Sequence, residues 1–239
     1  IALPGVPREM EYLSINAVIP YLKQRFDLHG IIKARVLHSI GIGESQVDDI
    51  IGDLETYTNP TVGLLAHPGQ VDIRITAKAE TDAEADAMIA DLENVIRDRL
   101  GDDIYGVDDE NIGDIVSRQL NKLNWKIDIF TFGIDELSTN RLKEITNNNC
   151  RVIVDTRPLD EIQLQQQLSS KMEKSEESIG FACSLLPGND KLILHMLWSQ
   201  SGISIQQTRT YGGPPSLGSS WSVNQIMEFI RRKTIDHSK

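Results

Sequence analysis

From Val71 to Lys78 the chain alternates, with Val71, Ile73, Ile75 and Ala77 apolar and Asp72, Arg74, Thr76 and Lys78 polar. A period of two sends one set to each face of an extended strand, so this stretch predicts a strand buried on one side only. Three residues later Thr81 or Asp82 is placed to cap a helix whose Ala85, Met88, Ile89, Leu92, Val95, Ile96 and Leu100 share one face until Gly101 stops it. A strand and a helix that each hide one face must cover one another, which requires a layer of helices on a sheet. The neighbouring segments supply the rest of that layer. Residues 31–36 read as a strand, Glu44 to Leu54 as a helix with Val47, Ile50, Ile51 and Leu54 inward, Thr61 to Ala66 as a strand ending in a turn at His67-Pro68-Gly69, and Ile104-Tyr105 as a last strand. Together they make a small α+β module.

The acidic, glycine-bearing stretch from Gly106 to Gly113 reads as a solvated boundary. Beyond it helix and strand alternate. A helix carries Ile112, Ile115, Val116, Leu120 and Leu123; strands follow at Trp125 to Thr131, Arg151 to Asp155 and Ile179 to Leu185, separated by helices at Asp135 to Ile145 and Leu159 to Lys174. That order argues for an α/β layer. Leu192 to Trp198 and Ile203 to Thr210, joined through Gln200-Ser201-Gly202, read as a hairpin added to it. Residues 211–220 read as a loop before a final helix with Val223, Ile226, Met227 and Ile230. At the other end, Ile1 to Leu3 read as the end of a buried strand, followed by a turn at Pro4 and Gly5 and a helix opening at Pro7, with Glu9 favourable in its first turn and a second helical segment at Tyr21 to Phe26 after Pro20. A chain that opens in mid-strand leads us to expect a preceding domain.

Charge divides unevenly. Residues 1–112 carry 21 acidic and 9 basic side chains, a net of −12, and the remainder carries 14 and 15. The first half therefore repels phosphate backbones, and no nucleic-acid partner is expected. No apolar run reaches the roughly 20 residues that cross a bilayer, so no membrane partner is expected and the reading is cytoplasmic. Cys150 and Cys183 are too few and unpatterned for a disulfide framework or a metal site.

Sites are scarce at this level. Gly41-Ile-Gly43-Glu44-Ser45 precedes a helix and its amides could cradle a phosphate, but Glu44 brings a negative charge to that place and no lysine follows; a turn and cap is the plainer reading. Asp102, Asp103, Asp108, Asp109 and Glu110 lack the spacing of a calcium loop. The five histidines are scattered, with His195 on an apolar strand as a satisfied side chain, and no metal site is expected. Gly212-Gly213-Pro214-Pro215 suits a loop more than a ligand cradle. Spacing alone nominates no catalytic residue.

Several segments together resemble the CinA family of competence and damage inducible proteins: Leu3-Pro-Gly-Val-Pro-Arg-Glu-Met10, Ser39-Ile-Gly-Ile-Gly-Glu-Ser45, Asn59-Pro-Thr-Val62, Val71-Asp-Ile-Arg-Ile-Thr-Ala-Lys-Ala79 and Ile104-Tyr-Gly106. The resemblance implies that residues 1–30 are the C-terminal remnant of a molybdopterin-binding-like domain, 31–110 a KH-like α+β linker module, and 111–239 a CinA C-terminal, nicotinamide mononucleotide deamidase-like α/β domain. It also implies that Pro4, Gly5, Pro7 and Glu9 belong to a loop beside the family's phosphate site, where an ADP-ribose pyrophosphatase using a divalent metal would be completed by a preceding domain; within this chain no cofactor is expected. The family's deamidase strand ends in Ala-Glu-Ser-Cys-Thr-Gly-Gly with a reactive serine, whereas this chain reads Ile129-Phe-Thr-Phe-Gly-Ile-Asp135, and a later Thr-Gly-Ile-Ala-Gly-Pro loop is replaced by Cys183-Ser-Leu-Leu-Pro-Gly188. The expectation is thus a degenerate, inactive deamidase-like domain with a structural and dimerising role in a homodimer. Two alternatives stay open. One is an amidohydrolase with Ser138, Thr139 or Ser184 as a relocated nucleophile; the other is a module that senses a nicotinamide or adenine nucleotide without turning it over. A KH fold would suggest RNA, but its Gly-x-x-Gly clamp is missing from the sequence.

Overall fold

In the computed structural model residues 1–27, 30–146, 150–172 and 179–238 are described. The alternation from Val71 to Lys78 forms the middle of β3 (Gln70–Ala79), which pairs antiparallel with β2 (Thr61–His67) on one side and β1 (Ile31–Ile40) on the other; β4 (Ile104–Val107) completes a sheet of order β2-β3-β1-β4. The β2–β3 turn at Pro68-Gly69 needs the left-handed backbone of Gly69, φ 79°. Val71, Ile73, Ile75 and Ala77 are buried as the period requires, under α3 (Glu44–Ile51) and α4 (Asp82–Leu100). Thr81 is the cap of α4, its hydroxyl accepting the Glu84 N–H at 3.3 Å, and Gly101 ends it with φ 54°. Ala85, Ile89, Leu92, Ile96 and Leu100 fill the space over the sheet, each large one contributing about 1.5–3 kcal/mol by burial. Val95 and Ile50, expected in this core, lie at the margin of their helical stripes and stay exposed. The helix expected to run to Leu54 ends at Ile51 and tightens into a 3-10 segment, Gly52–Thr56, which still delivers Leu54 to the core.

The N-terminal reading needs one correction. Residues 1–3 form no strand, and Ile1 and Leu3 are exposed: neither sheet takes them up at an edge. The helix does open at Pro7, as α1 (Pro7–Leu13), and continues through a widened π turn, Ser14–Val18, into α2 (Ile19–Phe26). Pro20 has no N–H to return to the preceding turn, and the wider turn, in which Ile19 donates to Ser14 O five residues back, carries the helix past that gap. No side chain of α1 or α2 is buried.

A second sheet is built from β5 (Ile127–Phe132), β6 (Cys150–Asp155), β7 (Ile179–Pro187), β8 (Leu192–Gln200) and β9 (Ile203–Tyr211), in the order β6-β5-β7-β8-β9. The first three are parallel and the β8–β9 hairpin is antiparallel, turning at Ser201-Gly202, both at positive φ as a two-residue turn demands. Central strands covered on both faces read as continuous apolar runs. In β5 and β7, Ile127, Ile129, Phe181, Cys183 and Leu185 pack on one side with α5 (Ile112–Leu123), α6 (Glu136–Thr146) and α8 (Gly218–Ser238), while Phe130, Phe132 and Ala182 meet α7 (Glu161–Met172) on the other. The expected end of α7 at Glu173 and Lys174 lies outside the described residues. The final helix starts within the expected loop, at Gly218, where Leu192 Cδ1 occupies the place a Cβ would take and leaves room for glycine.

The stretch expected to be a solvated boundary is instead tied down. Asp108 N–H donates to Val36 O at 2.8 Å, its carboxylate accepts the Val36 N–H and pairs with Arg35, and Glu110 pairs with Arg118. The two sheets also share α8. Its Val223, Ile226, Met227 and Ile230 face the second sheet, and a polar stripe of Asn224, Gln225, Glu228 and Arg231 faces the first. Asn224 donates to Pro68 O at 2.7 Å; Arg231 bonds Glu228 at 2.6 Å and reaches the Asp102 carbonyl; Arg232 joins Glu228 and Asp103. Glu228 and Arg231 are almost wholly buried. No helix among the described residues is long and apolar enough to cross a membrane.

Candidate functional site

In an open α/β sheet, ligands gather at the carboxyl ends of the parallel strands. Here that place is filled. Gly133, just past β5, has φ 69° and donates to Asp155 O at 3.1 Å; a Cβ on it would lie 2.2 Å from the Leu185 carbonyl oxygen. Asp135 then caps α6, accepting the Ser138 N–H at 2.8 Å and the Ser138 hydroxyl at 3.0 Å. Burial would raise the Asp135 carboxyl, but these hydrogen bonds and the Ser219 hydroxyl outweigh it and hold the group below the usual carboxylate range, which is the wrong direction for a base working near neutrality.

Among the described residues, the three hydroxyls nominated as relocated nucleophiles share no hydrogen bond with one another, and each is engaged by other groups. Thr139 is fully buried and donates to the carbonyls of Asp135 and Glu136, which spends its proton within its own helix turn. Ser184, also fully buried, accepts the Leu159 N–H at 2.8 Å. The β7–β8 register sets His195 directly across from Ser184, yet His195 Nδ1 bonds Thr208 Oγ1 at 2.9 Å and no hydrogen bond joins it to the serine. Cys183 is sealed in the core, where burial pushes its thiol far above the ordinary value.

Of Pro4, Gly5, Pro7 and Glu9, only Pro4 is half-buried, and open space surrounds the Cα of Gly5. Among the described residues no group of histidine, cysteine, aspartate and glutamate side chains is arranged to hold a metal. Asp102 and Asp103 serve the α8 junction described above.

A cleft of about 1070 Å3 lies between the two sheets. It joins two segments that the sequence left apart: the Gly41–Gln46 loop with the first turn of α3, and the Tyr211–Pro214 loop. The β2–β3 turn forms a third wall, and Tyr211 stacks on Trp221 with centroids 5.1 Å apart. Arg209 on β9 stands between, its Nη1 donating to Gly41 O at 3.4 Å and to Gln225 Oε1. Sequence reading missed Arg209. The second polar stripe on the last helix, at i, i+1, i+4 and i+7 from Asn224, was the available signal that this helix faces two neighbours.

Residues 34–106 match the profile of the family described as the damage-inducible protein CinA KH domain. These residues are similar to a CinA KH domain. A putative competence-damage inducible protein of Oceanobacillus iheyensis is 43% identical over 126 residues, 52% of this chain and 30% of that protein. One of Clostridium perfringens strain SM101 is 43% identical over 120 residues, 50% of this chain and 29% of that protein, and one of Halothermothrix orenii is 38% identical over 122 residues, 51% and 29%. The matched part thus spans less than a third of the length of these curated relatives. A solved CinA-superfamily structure from Klebsiella pneumoniae 700603 aligns over 53% of this chain and 99% of that chain, with 13% identity and a TM-score of 0.43. The matched residues are the α+β unit of β1, α3, β2, β3, α4 and β4, and the alternating strand and capped helix are its centre. In this unit the chain between α3 and β2 is the 3-10 segment and Tyr57 to Pro60, with no Gly-x-x-Gly sequence.

Proposed function

We propose that this part of a CinA-like protein connects and assembles, through its KH module and the α/β module locked to it, while the α/β module is a deamidase-like fold without deamidase chemistry. The observation that carries the reading is the state of the strand ends: the hydroxyls of Ser138 and Thr139 are engaged within their own helix turn and that of Ser184 by the Leu159 N–H, and among the described residues no histidine or lysine hydrogen-bonds to any of them. Among these residues Thr139 and Ser184 hydrogen-bond to no base, and the carboxylate that Ser138 faces is held below the usual range, so none of the three is activated for a covalent step. The buried junction through Glu228 and Arg231 supports the connecting role, since it makes the two modules one body. Homodimerisation fits the same role and would be read by sedimentation. The net charge of the first half, −12, and the absent glycine clamp argue against an RNA partner.

The decisive experiment incubates the chain with nicotinamide mononucleotide, and separately with ADP-ribose and a divalent metal, while following ammonia and phosphate-ester products. No turnover in either arm is expected. Ammonia released by the wild type and lost on Ser184→Ala or Ser138→Ala would overturn the reading.

A further inference from the structure

The cleft between the two sheets has the volume of a small-molecule site and stands where such sites occur, at a junction between packed units. Its distinctive group is Arg209. A guanidinium offers five N–H donors, and a carboxylate or phosphate takes two at once along the Nε–Nη2 edge. Nη1 of Arg209 is held by Gly41 O and Gln225 Oε1, both neutral, whereas neither Nε nor Nη2 has a hydrogen bond, and no carboxylate pairs with this side chain among the described residues. Glu228, the carboxylate that influences it most, is already shared by Arg231 and Arg232. Desolvation disfavours the Arg209 charge and lowers its pKa, consistent with a cation whose counter-charge is incomplete. The opposing feature is Glu44, whose exposed side chain leaves it room to turn into solvent.

We propose that this cleft binds a small molecule bearing a phosphate or carboxylate, with Arg209 taking the anion and the Gly41–Gln46 and Tyr211–Gly213 loops closing on it from the two modules. The role is independent of whether the strand ends do chemistry. Because the walls come from both modules, an occupied cleft also tightens their junction.

The test titrates the whole chain with inorganic phosphate, ribose 5-phosphate and citrate at constant ionic strength, by calorimetry and by amide hydrogen exchange. The expected result is saturable binding of at least one probe, with added protection confined to residues 41–46, 67–70 and 207–213. Preference for ribose 5-phosphate over inorganic phosphate marks a phosphorylated metabolite; preference for citrate marks a carboxylate. Arg209→Gln should weaken binding about ten- to a hundredfold, the worth of a charge-assisted pair. Arg209 also borders a smaller hollow with Arg232 and Lys233. Lys233→Gln should therefore leave affinity unchanged. Saturable binding of none of the three probes, equal binding by Arg209→Gln, or a loss with Lys233→Gln as large as with Arg209→Gln would each overturn the assignment; the protection map of the wild type decides it even if a variant fails to fold.

Discussion

His38 on β1 faces an acceptor at both ring nitrogens: Nδ1 lies 2.7 Å from Asp72 Oδ1, and Nε2 lies 2.7 Å from the Asp108 carbonyl oxygen. A neutral imidazole donates at one nitrogen only, so the imidazolium alone satisfies both contacts. Around it stand His67, which shares Asp72 at 3.1 Å, Tyr105, stacked on the ring at 5.7 Å, and Arg35, paired with Asp108. Burial works against the charge, but the bond to the Asp108 carbonyl and the bond and charge of Asp72 outweigh it, and the His38 pKa is raised above the ordinary imidazole value. The folded state therefore binds a proton more tightly than the unfolded chain, and the stabilisation is complete below about pH 6.5, the unfolded value, and lost as pH rises through the folded one. Losing the Nε2 proton leaves two acceptors facing each other, at a cost of about 1–3 kcal/mol. The cost falls on the contact between β1 and the β4–α5 turn, where Asp108 N–H meets Val36 O. Protection of that amide, corrected for the intrinsic exchange rate, should drop roughly ten- to a hundredfold between pH 6 and pH 8.5. His38→Gln should flatten the dependence, whereas His67→Gln should retain it. An equal pH dependence in wild type and His38→Gln would refute the argument.

Two further outcomes concern stability. Phe181 on β7 is fully buried under α8, against Phe229 at 5.4 Å, and Phe181→Ala should cost about 3–5 kcal/mol in urea unfolding followed by tryptophan fluorescence. Glu228→Ala leaves the buried Arg231 without its carboxylate and should cost about 3–5 kcal/mol; joint replacement by apolar residues at 228 and 231 should recover part of it in the same assay.

The first module was legible because its signals are local. Strict alternation from Val71 to Lys78, a threonine cap and a glycine stop specify a strand and a helix without knowledge of their neighbours. The β8–β9 hairpin was legible for the same reason, through Ser201-Gly202. What escaped depends on residues far apart in sequence. Asp108 looked like solvated linker until Arg35, Val36 and His38 closed around it. Arg209 is one of three charged residues between Pro187 and Trp221, and nothing near it in sequence announces Gly41 or Gln225. The same holds for Ile1 to Leu3: an apolar triplet reads as strand, but a strand exists only where an edge is free to receive it.

The polar stripe of α8 also bears on the order in which the molecule can assemble during synthesis. Asn224 and Arg231 meet partners 156 and 129 residues earlier in the chain. Nearly all of the first module's core precedes those residues in the chain, but its acidic corner at Asp102 and Asp103 must wait, hydrated, for arginines made much later. Contacts of such sequence separation close slowly. The face of the first module that meets α8 is acidic at Asp102 and Asp103, so the joining of the two modules should depend on salt as well as on packing.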